Sequence, residues 1–525
     1  MITKKGDNMA KKYKSDNKKK CLIGPLNKHK RIEKAFRVRL KAASSEMELP
    51  LLDQPCNGDE QLYTTKIASF SKGLPHNSLG EVDLQAYSQF IKALKTGDKD
   101  HFESIPLGGN AKLANSQAAY AFDLAGTDCH KLKISAPPSF NSAWAAGEMA
   151  ELYWQALTRD VPFHEYRTNS LIREAASELS SFSDFRGPKA GGKVTTATLF
   201  RGNTPGDLTG PYISQFLWKN IPYGGTTIIQ RYRTTLAGSD HMTSYKKWLD
   251  IQNGSASAAP LFDPEARYIR NGRDLGEYVH QDFSFQSPLS ACLILSSFGR
   301  EALDIYNPYL KSETQDGFIT FGAPHILDFV TKVGRAALEA AWFQKYLVHR
   351  RLRPEEFGGR VHNHMTGAAS YPINSELLHS NVLSKVFSEY RSYLLPMSYP
   401  EGCPIHPAYP AGHAAIVGAG ATVLKAFFKE SFKIPDPVTA SSDGISLLPY
   451  SGKSLTIGGE LNKLAANISL GRNTAGVHWR SDGIEGMKLG EAVAISILRD
   501  YSATYHEKFS GFSFTKFDGA LIKIK

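Results

Sequence analysis

One stretch near the C-terminus carries the residue types best suited to chemistry. Residues 470–482 read LGRNTAGVHWRSD, which places an arginine, a histidine and a carboxylate within a few positions. Asp482 follows His478 by four residues, so it could orient the imidazole if a helix starts there. An imidazole with one nitrogen held can present the other to a metal or an electrophile. The structural alternative is that Arg472 and His478 are simply satisfied in a buried loop.

A second stretch, HPAYPAGH at residues 406–413, comes before a run of small and apolar residues over 414–425. That run has the length and composition of a helix. We therefore expect Gly412 and His413 at a helix N-terminus. Backbone N–H groups without intrahelical partners attract anions there.

A third stretch reads KYLVHRRLRP from Lys345 to Pro354. A proline disfavours helical backbone in the residue before it, so Arg353 should lie just past the end of a helix. Lys345 should then lie in the last turns of that helix. Together with Arg472 these residues supply three cations. Three cations, a helix N-terminus and two histidines make a site for a tetrahedral oxyanion.

The order of these residues resembles that in the superfamily of vanadium-dependent haloperoxidases and type 2 acid phosphatases. The details resemble the algal and cyanobacterial bromoperoxidases, in which the lysine and the arginine are separated by seven residues, as Lys345 and Arg353 are here. The resemblance extends from about Arg31 to the C-terminus. It includes the stretches SAWAAGEMAELYWQALTRDVPF, LFRGNTPGDLTGPYISQFLW, DHMTSYKKWLDIQNG and AAWFQKYLVHRRLRPEEFGGRVHNH.

By this resemblance the cofactor is vanadate, and His478 is its metal ligand. The other groups expected to bind the vanadate oxygens are Lys345, Arg353, Arg472 and the backbone N–H of Gly412. Guanidinium and ammonium groups neutralise such an oxyanion. The resemblance further implies that Lys345 polarises the bound peroxide and that His413 acts as an acid–base group.

Three further residues are expected around the cofactor. His406 would line the halide side of the pocket. Trp342, three residues before Lys345, would sit one helical turn away from the lysine on a similar face. Asp282, within EYVHQD, is expected to stand as a carboxylate behind Arg353 and Arg472. For each of them, packing in the core is the structural alternative.

One position departs from the family pattern. The usual motif is Pro-Ser-Gly-His, and this chain has Ala411 at the serine position. The resemblance assigns the serine hydroxyl a hydrogen bond to a vanadate oxygen, which Ala411 cannot make. A hydrogen bond to a charged group contributes about 1.5–3 kcal/mol. The departure therefore bears on cofactor affinity and halide range, unless water fills the gap.

The function implied is a vanadate-dependent haloperoxidase. Hydrogen peroxide would oxidise bromide or iodide to hypohalous acid, which halogenates a small organic acceptor; no haem is needed. An acid phosphatase of the same superfamily is the alternative, with His478 as nucleophile and His413 as proton donor. A third hypothesis is an oligomer component that has lost activity. The resemblance also implies a homodimer or a larger homo-oligomer.

Composition adds limits of its own. The chain has 525 residues, 42% of them hydrophobic, and a net charge of +11. Residues 1–41 hold fifteen Lys/Arg and three Asp/Glu, so they carry +12 and the remainder about −1. Residues 1–30 are therefore expected to form a basic, disordered tail. The core is not basic and has no DNA- or RNA-binding motif, so nucleic acid is not an expected partner.

Compartment and cysteine chemistry are less defined. No apolar run reaches membrane-spanning length, and the lysine-rich start lacks the apolar region of a secretory signal. We expect a cytoplasmic protein by default, while the resemblance leaves a cell-surface location open. The five scattered cysteines show no zinc or redox spacing and are expected to be mostly buried thiols, although disulfides occur among the algal relatives.

The periodicity predicts an all-α fold with long loops and few short strands. One large helical domain is expected over residues 31–525, with the active site at about 340–485. The resemblance implies two four-helix bundles. Glycines 471 and 476 predict tight turns around the site. Helices are expected at residues 82–94, 143–157, 326–349, 376–394, 414–429 and 482–500, and in an amphipathic segment from Arg31.

Overall fold

The computed structural model describes residues 23–525, so most of the predicted basic tail lies outside the described residues. That tail and the single domain over 31–525 stay predictions. The chain divides into two compact units, one through Leu49 and one from Pro50 to Lys525. The described part of the first unit is mainly helix α1, which already begins at Lys28 and has no buried residue.

Helices make up most of the ordered structure, as predicted. The α-helices are α1 (Lys28–Glu48), α2 (Asp59–Leu62), α3 (Leu84–Thr96), α4 (Lys99–Glu103), α5 (Ala143–Thr158), α6 (Ser170–Ser181), α7 (Tyr245–Gln252), α8 (Gly272–Gln281), α9 (Gln286–Ser296), α10 (Ala323–Phe343), α11 (Pro354–Met365), α12 (Ser375–Leu378), α13 (Asn381–Tyr390), α14 (Gly412–Phe427), α15 (Ile457–Thr474) and α16 (Arg480–Ser502). Among residues 23–525, no helix is both long and apolar enough to cross a membrane.

Within residues 23–525, the strands are short and form three two-stranded antiparallel hairpins. They are β1 (Ile221–Tyr223) with β2 (Thr226–Ile228), β3 (Val438–Ala440) with β4 (Leu447–Pro449), and β5 (Phe512–Thr515) with β6 (Leu521–Ile524). None of these hairpins contributes a residue to the predicted site.

Helix α14 forms the centre of the larger helical group. All residues of α14 except His413 are buried, and the helix packs against α10, α15 and α16. The approach to α16 is very close, because a methyl group built on Gly490 would lie 2.0 Å from the carbonyl oxygen of Ala415. The small-residue run therefore lets α14 lie among three neighbours with its N-terminus at the predicted site.

A second helical group surrounds α5, which packs against α6, α12 and α13. Its core is a separate cluster of buried side chains that includes Trp154, Tyr153 and Trp248. Helix α5 also contacts α15, which carries Arg472 and ends shortly before His478. The two helical groups therefore meet next to these two residues.

Two local predictions were wrong. Gly471 lies inside α15 rather than in a turn, and it allows close packing, since a methyl group there would be 3.0 Å from Leu275 Cγ. The single helix expected at 376–394 is two, because Ser380 has extended backbone and starts α13. Gly476, by contrast, has a φ of +85° and makes the predicted turn.

The described cysteines agree with the expectation of mostly buried thiols. All four are free, and only Cys56 is exposed. The remaining cysteine, at position 21, lies outside the described residues.

Candidate active site

Lys345 approaches the site from the end of α10. Residues Gln344–His349 continue this helix as a π-helical turn, a form often found at functional sites. The lysine side chain is completely buried, and its Nζ donates to the carbonyl oxygens of Pro407 at 2.8 Å and Ala408 at 2.9 Å. In its charged form the ammonium group has three hydrogens, so that form has one left for a ligand.

Arg353 lies just before α11, as the proline after it predicted. Glu356 holds its backbone, because the Arg353 N–H donates to Glu356 Oε2 at 2.8 Å. The guanidinium Nε donates to the carbonyl oxygen of His406 at 2.9 Å. Nη1 donates to the carbonyl oxygen of Val477 at 2.6 Å and to His478 Nε2 at 3.0 Å.

Arg472 comes from the last turn of α15, a helix that the periodicity did not predict. Its Nη1 donates to the carbonyl oxygen of Val279 at 2.6 Å, and its guanidinium lies 5.5 Å from the ring centroid of Tyr399. The buried Nε has no hydrogen-bond partner among residues 23–525. A buried donor without a partner is costly, so this nitrogen is suited to an added acceptor.

His478 lies in the turn between α15 and α16. Its Nδ1 donates to Asp482 Oδ2 at 2.8 Å, which confirms the predicted contact. The same oxygen accepts from the backbone N–H of Trp479 at 3.0 Å at the start of α16. Because Asp482 holds Nδ1, the free lone pair of His478 is on Nε2, which faces the Arg353 guanidinium.

The N-terminus of α14 completes the group, with Ala411 as N-cap and Gly412 as first helical residue. A methyl group on Gly412 would lie 3.1 Å from Leu338 Cδ1, so a larger residue would crowd α10. The His413 side chain is 27% exposed, and its Nε2 donates to Asp282 Oδ1 at 3.0 Å.

The expected position of Asp282 was therefore wrong. Its carboxylate lies against the His413 imidazole rather than behind Arg353 and Arg472. The physical reason is the position of Asp282 immediately after α8, which ends at Gln281. Arg472 bonds to the carbonyl oxygen of Val279 inside that helix instead of to the carboxylate after it.

His406 and Trp342 lie side by side. Their ring centroids are 4.8 Å apart, and Arg353 Nη2 donates to His406 Nδ1 at 3.0 Å. The Trp342 indole is fixed by donating from Nε1 to the carbonyl oxygen of Asn115 at 3.1 Å. This pair forms an aromatic wall next to the buried cations.

The electrostatics of the pocket favour an anion. Burial, together with the charge of Arg353, lowers the pKa of Lys345 well below its usual value. Burial and then Arg353 and Lys345 lower the pKa of His478 well below its usual value, so its imidazole is neutral near pH 7. Burial and the charge of Arg353 also lower the pKa of His406 well below its usual value. Excess positive charge in a low-dielectric pocket is relieved by a bound anion.

Several residues around the site were not predicted from the sequence. Glu356 positions the Arg353 backbone, Tyr399 lies under Arg472, and Arg351 and Glu148 reach Asp482 and its neighbour. Arg351 and Glu356 stand two and three residues from Arg353, so both are local in the sequence. Tyr399 and Glu148 come from distant parts of the chain.

The chain is similar to known proteins over nearly its whole length. Residues 331–507 match a family model described as the VCPO second helical-bundle domain. The chain is 35% identical to a vanadium-dependent bromoperoxidase of Ascophyllum nodosum, over 95% of this chain and 93% of that protein. It is also 35% identical to one of Corallina pilulifera, over 95% of this chain and 99% of that protein.

A solved structure of a bromoperoxidase has the same fold. It is a homohexameric vanadate-dependent bromoperoxidase of Ascophyllum nodosum, 30% identical, with a TM-score of 0.91 over 98% of this chain and 95% of that one.

The fold and the site thus define a helical protein in which buried cations lie beside a histidine that has one nitrogen held by a carboxylate. The chain belongs to the vanadium-dependent haloperoxidase family, among relatives named bromoperoxidases. It is a haloperoxidase rather than a phosphatase, and the names of its relatives imply a vanadate cofactor.

Proposed function

We propose that this haloperoxidase binds vanadate between the N-terminus of α14 and the side chain of His478. His478 Nε2 would form the metal bond, and the remaining contacts would come from Lys345, Arg353, Gly412 and Arg472. One observation carries the proposal: a buried imidazole has Nδ1 held by Asp482 and Nε2 facing a buried guanidinium.

The available donors fit an oxyanion. Arg472 Nε lacks a partner within the described part of the chain, and Lys345 uses only two hydrogens on carbonyl oxygens. Residues 23–525 contain no cluster of three or more His, Cys, Asp or Glu side chains that could hold a metal ion. A metal that brings its own oxygen ligands and takes one imidazole from the protein suits this set.

When bound, vanadate would supply a Lewis-acid centre that activates hydrogen peroxide towards halide. Arg353 and Arg472 would compensate the oxyanion charge, and Lys345 would donate to an oxygen that gains negative charge. His413 would exchange a proton at Nδ1, since its Nε2–H is held by Asp282. The partial exposure of His413 would connect this proton to solvent.

The halides proposed as substrates are bromide and iodide, with little or no chloride oxidation. His406 and Trp342 would border the halide, and Ala411 supplies no hydroxyl to polarise the peroxide. Weaker polarisation favours the halides that are more easily oxidised. The hypohalous acid formed would then halogenate a small, electron-rich organic acceptor.

We further propose a homo-oligomer of at least two copies. Support comes from the homohexameric relative.

Reconstitution tests the cofactor. Vanadate should restore bromide and iodide oxidation to chelator-treated protein, and phosphate should compete with it. Recovery with iron or haem but not with vanadate would contradict the proposal. Hydrolysis of phosphate esters by the vanadate-free protein would test the alternative of an acid phosphatase. A complete lack of vanadate binding would favour the alternative of an oligomer component that has lost activity.

A further inference from the structure

Arg351 stands two residues before Arg353, but its side chain points to a different partner. Its Nη1 donates to Asp482 Oδ1 at 2.8 Å and to Ser481 Oγ at 2.8 Å. Both oxygens of Asp482 are therefore engaged, since the other one accepts from His478 Nδ1 at 2.8 Å. This arginine is 4% exposed, so its contacts are shielded from water.

Glu148, in the middle of α5, anchors the same arginine. Its Oε2 accepts from Arg351 Nη2 at 3.2 Å and from Ser481 Oγ at 2.9 Å. Its Oε1 accepts from the backbone N–H of Ser481 at 2.7 Å, in the first turn of α16. A chain of buried polar contacts thus runs from α5 through Arg351 and Asp482 to His478.

Two further contacts limit the movement of Arg351. Its guanidinium lies 4.5 Å from the ring centroid of Trp479, the residue after His478. Its carbonyl oxygen accepts from the Ala408 N–H at 3.0 Å, and the carbonyl oxygen of Ala408 accepts from Lys345 at 2.9 Å. The planar guanidinium of Arg351, close to the Trp479 ring and bonded to several acceptors, is held in one geometry. A lysine cannot reproduce this arrangement.

We propose that Arg351, anchored by Glu148, is the positioning residue that fixes the Asp482 carboxylate and thereby the tautomer of His478. With Asp482 held, the imidazole carries its hydrogen on Nδ1 and keeps the Nε2 lone pair towards the oxyanion pocket. The inference rests on the proposed role of His478 as the vanadium ligand. Arg351 itself does not touch the oxyanion position; it acts through Asp482.

Arg480 and Glu151 provide a matched control. They form a second buried Arg–Glu pair, which joins α16 to α5, with Arg480 Nε 2.8 Å from Glu151 Oε2. Among residues 23–525, the side-chain hydrogen bonds of Arg480 go to Glu151 and to the carbonyl oxygen of Arg201, and none goes to Asp482 or His478. Arg480→Lys therefore reports the structural cost of weakening such a pair, without the proposed effect on the histidine.

The test compares wild type, Arg351→Lys, Glu148→Gln and Arg480→Lys, each prepared without vanadate. Three quantities are measured: the vanadate dissociation constant, the melting temperature, and the His478 tautomer from ¹⁵N shifts of histidine-labelled protein. His478→Ala identifies the relevant signals. Loss of a side chain that orients a metal ligand typically weakens metal binding 10–100-fold, and we expect about tenfold or more for Arg351→Lys.

We expect Arg351→Lys to lower the Nδ1–H population of His478 and Glu148→Gln to do so to a smaller extent. Arg480→Lys should keep the wild-type tautomer and affinity even if its melting temperature falls. Unchanged tautomer and affinity in Arg351→Lys would overturn the inference, as would equal losses in Arg480→Lys at equal melting temperature. If the wild type bound no vanadate, the proposed function would fail, while the tautomer of the apo-protein would still test the positioning role.

Discussion

At the scale of a single residue, Ala411 lies at a position where helix capping and oxyanion binding would use the same side chain. It is the N-cap of α14, and its backbone N–H donates to the carbonyl oxygen of Asp482 at 2.9 Å. Its methyl group is fully buried and makes no cap hydrogen bond. A serine hydroxyl here could accept from a free helix N–H and donate to a bound oxyanion, so both functions meet at one atom.

Ala411→Ser should therefore tighten vanadate binding. If the full charged hydrogen bond forms, the dissociation constant should fall by up to roughly a hundredfold, and the cap should add about 1 kcal/mol of stability. Titration of apo-protein with vanadate measures the first effect and thermal unfolding the second. Ala411→Gly is the matched control without a hydroxyl. Equal affinities in wild type and Ala411→Ser would mean that water or another group already provides the donor.

His478→Ala should abolish tight vanadate binding, because the protein's proposed bond to the metal is lost with the imidazole. The fold should persist, since Asp482 keeps its contacts with Arg351 and Trp479. Vanadate titration of the apo-protein checks the loss, and circular dichroism checks the fold. His506→Ala, at an exposed position, should bind vanadate like wild type. Tight binding by His478→Ala would exclude this histidine as the ligand.

His280 should make stability depend on pH. Burial opposes its charging, but contacts with Glu277 and Glu401 outweigh this and raise its pKa to about 9, from 6.5. The folded-state pKa is the higher one, so the stabilisation is complete below about pH 6.5 and is lost as pH rises through about 9. After allowance for solvent screening, His280→Gln should cost about 1–2 kcal/mol at pH 6 and little at pH 10.

Melting temperatures of wild type and His280→Gln between pH 6 and 10 test this prediction. The difference between the two proteins should shrink as the pH rises. A difference that stays constant across this range would mean that the imidazole packs against Tyr399, at 3.8 Å between ring centroids, without contributing as a charge.

At the scale of elements, the packing of α14 against α16 sets the position of the pocket. Gly490→Ala should separate these helices, because the added methyl group would lie 2.0 Å from the Ala415 carbonyl oxygen and 2.7 Å from the Ala419 nitrogen. Overpacking of this kind costs about 1–3 kcal/mol or more. Thermal unfolding should show a lower melting temperature, and vanadate affinity should fall with it.

Gly334→Ala is the matched control in α10. Its added methyl group would be 3.4 Å from Ile416 Cγ2, an ordinary contact, so the gain in helix propensity of up to about 1 kcal/mol should prevail. If both variants were equally stable, close approach between α14 and α16 would not be the limiting contact.

At the scale of the whole molecule, assembly is the main expectation. Light scattering at micromolar concentration should give a mass of at least two copies of the 57.8 kDa chain. The homohexameric relative motivates this prediction. A monomer under these conditions would contradict it. The basic charge is concentrated in residues 1–41. Added salt should therefore weaken the electrostatic interactions of that segment more than those of the nearly neutral remainder.

The sequence alone determined what depends on neighbouring positions. Pro354 placed Arg353 past a helix end, the small-residue run placed Gly412 at a helix start, and a spacing of four paired His478 with Asp482. Backbone preferences of adjacent residues are enough for such features, as they were for the helical class. The haloperoxidase family also followed from these motifs and their order.

Tertiary structure alone decided the pairings across the chain. Helix α15, which carries Arg472, is buried at every residue except Gly459, so it has no polar face from which periodicity could reveal it. The partner of Asp282 is 131 positions away, and Glu148 and Ser481 are 333 apart. Such contacts depend on how whole helices pack, because burial must satisfy each polar group with whichever partner the packing brings near.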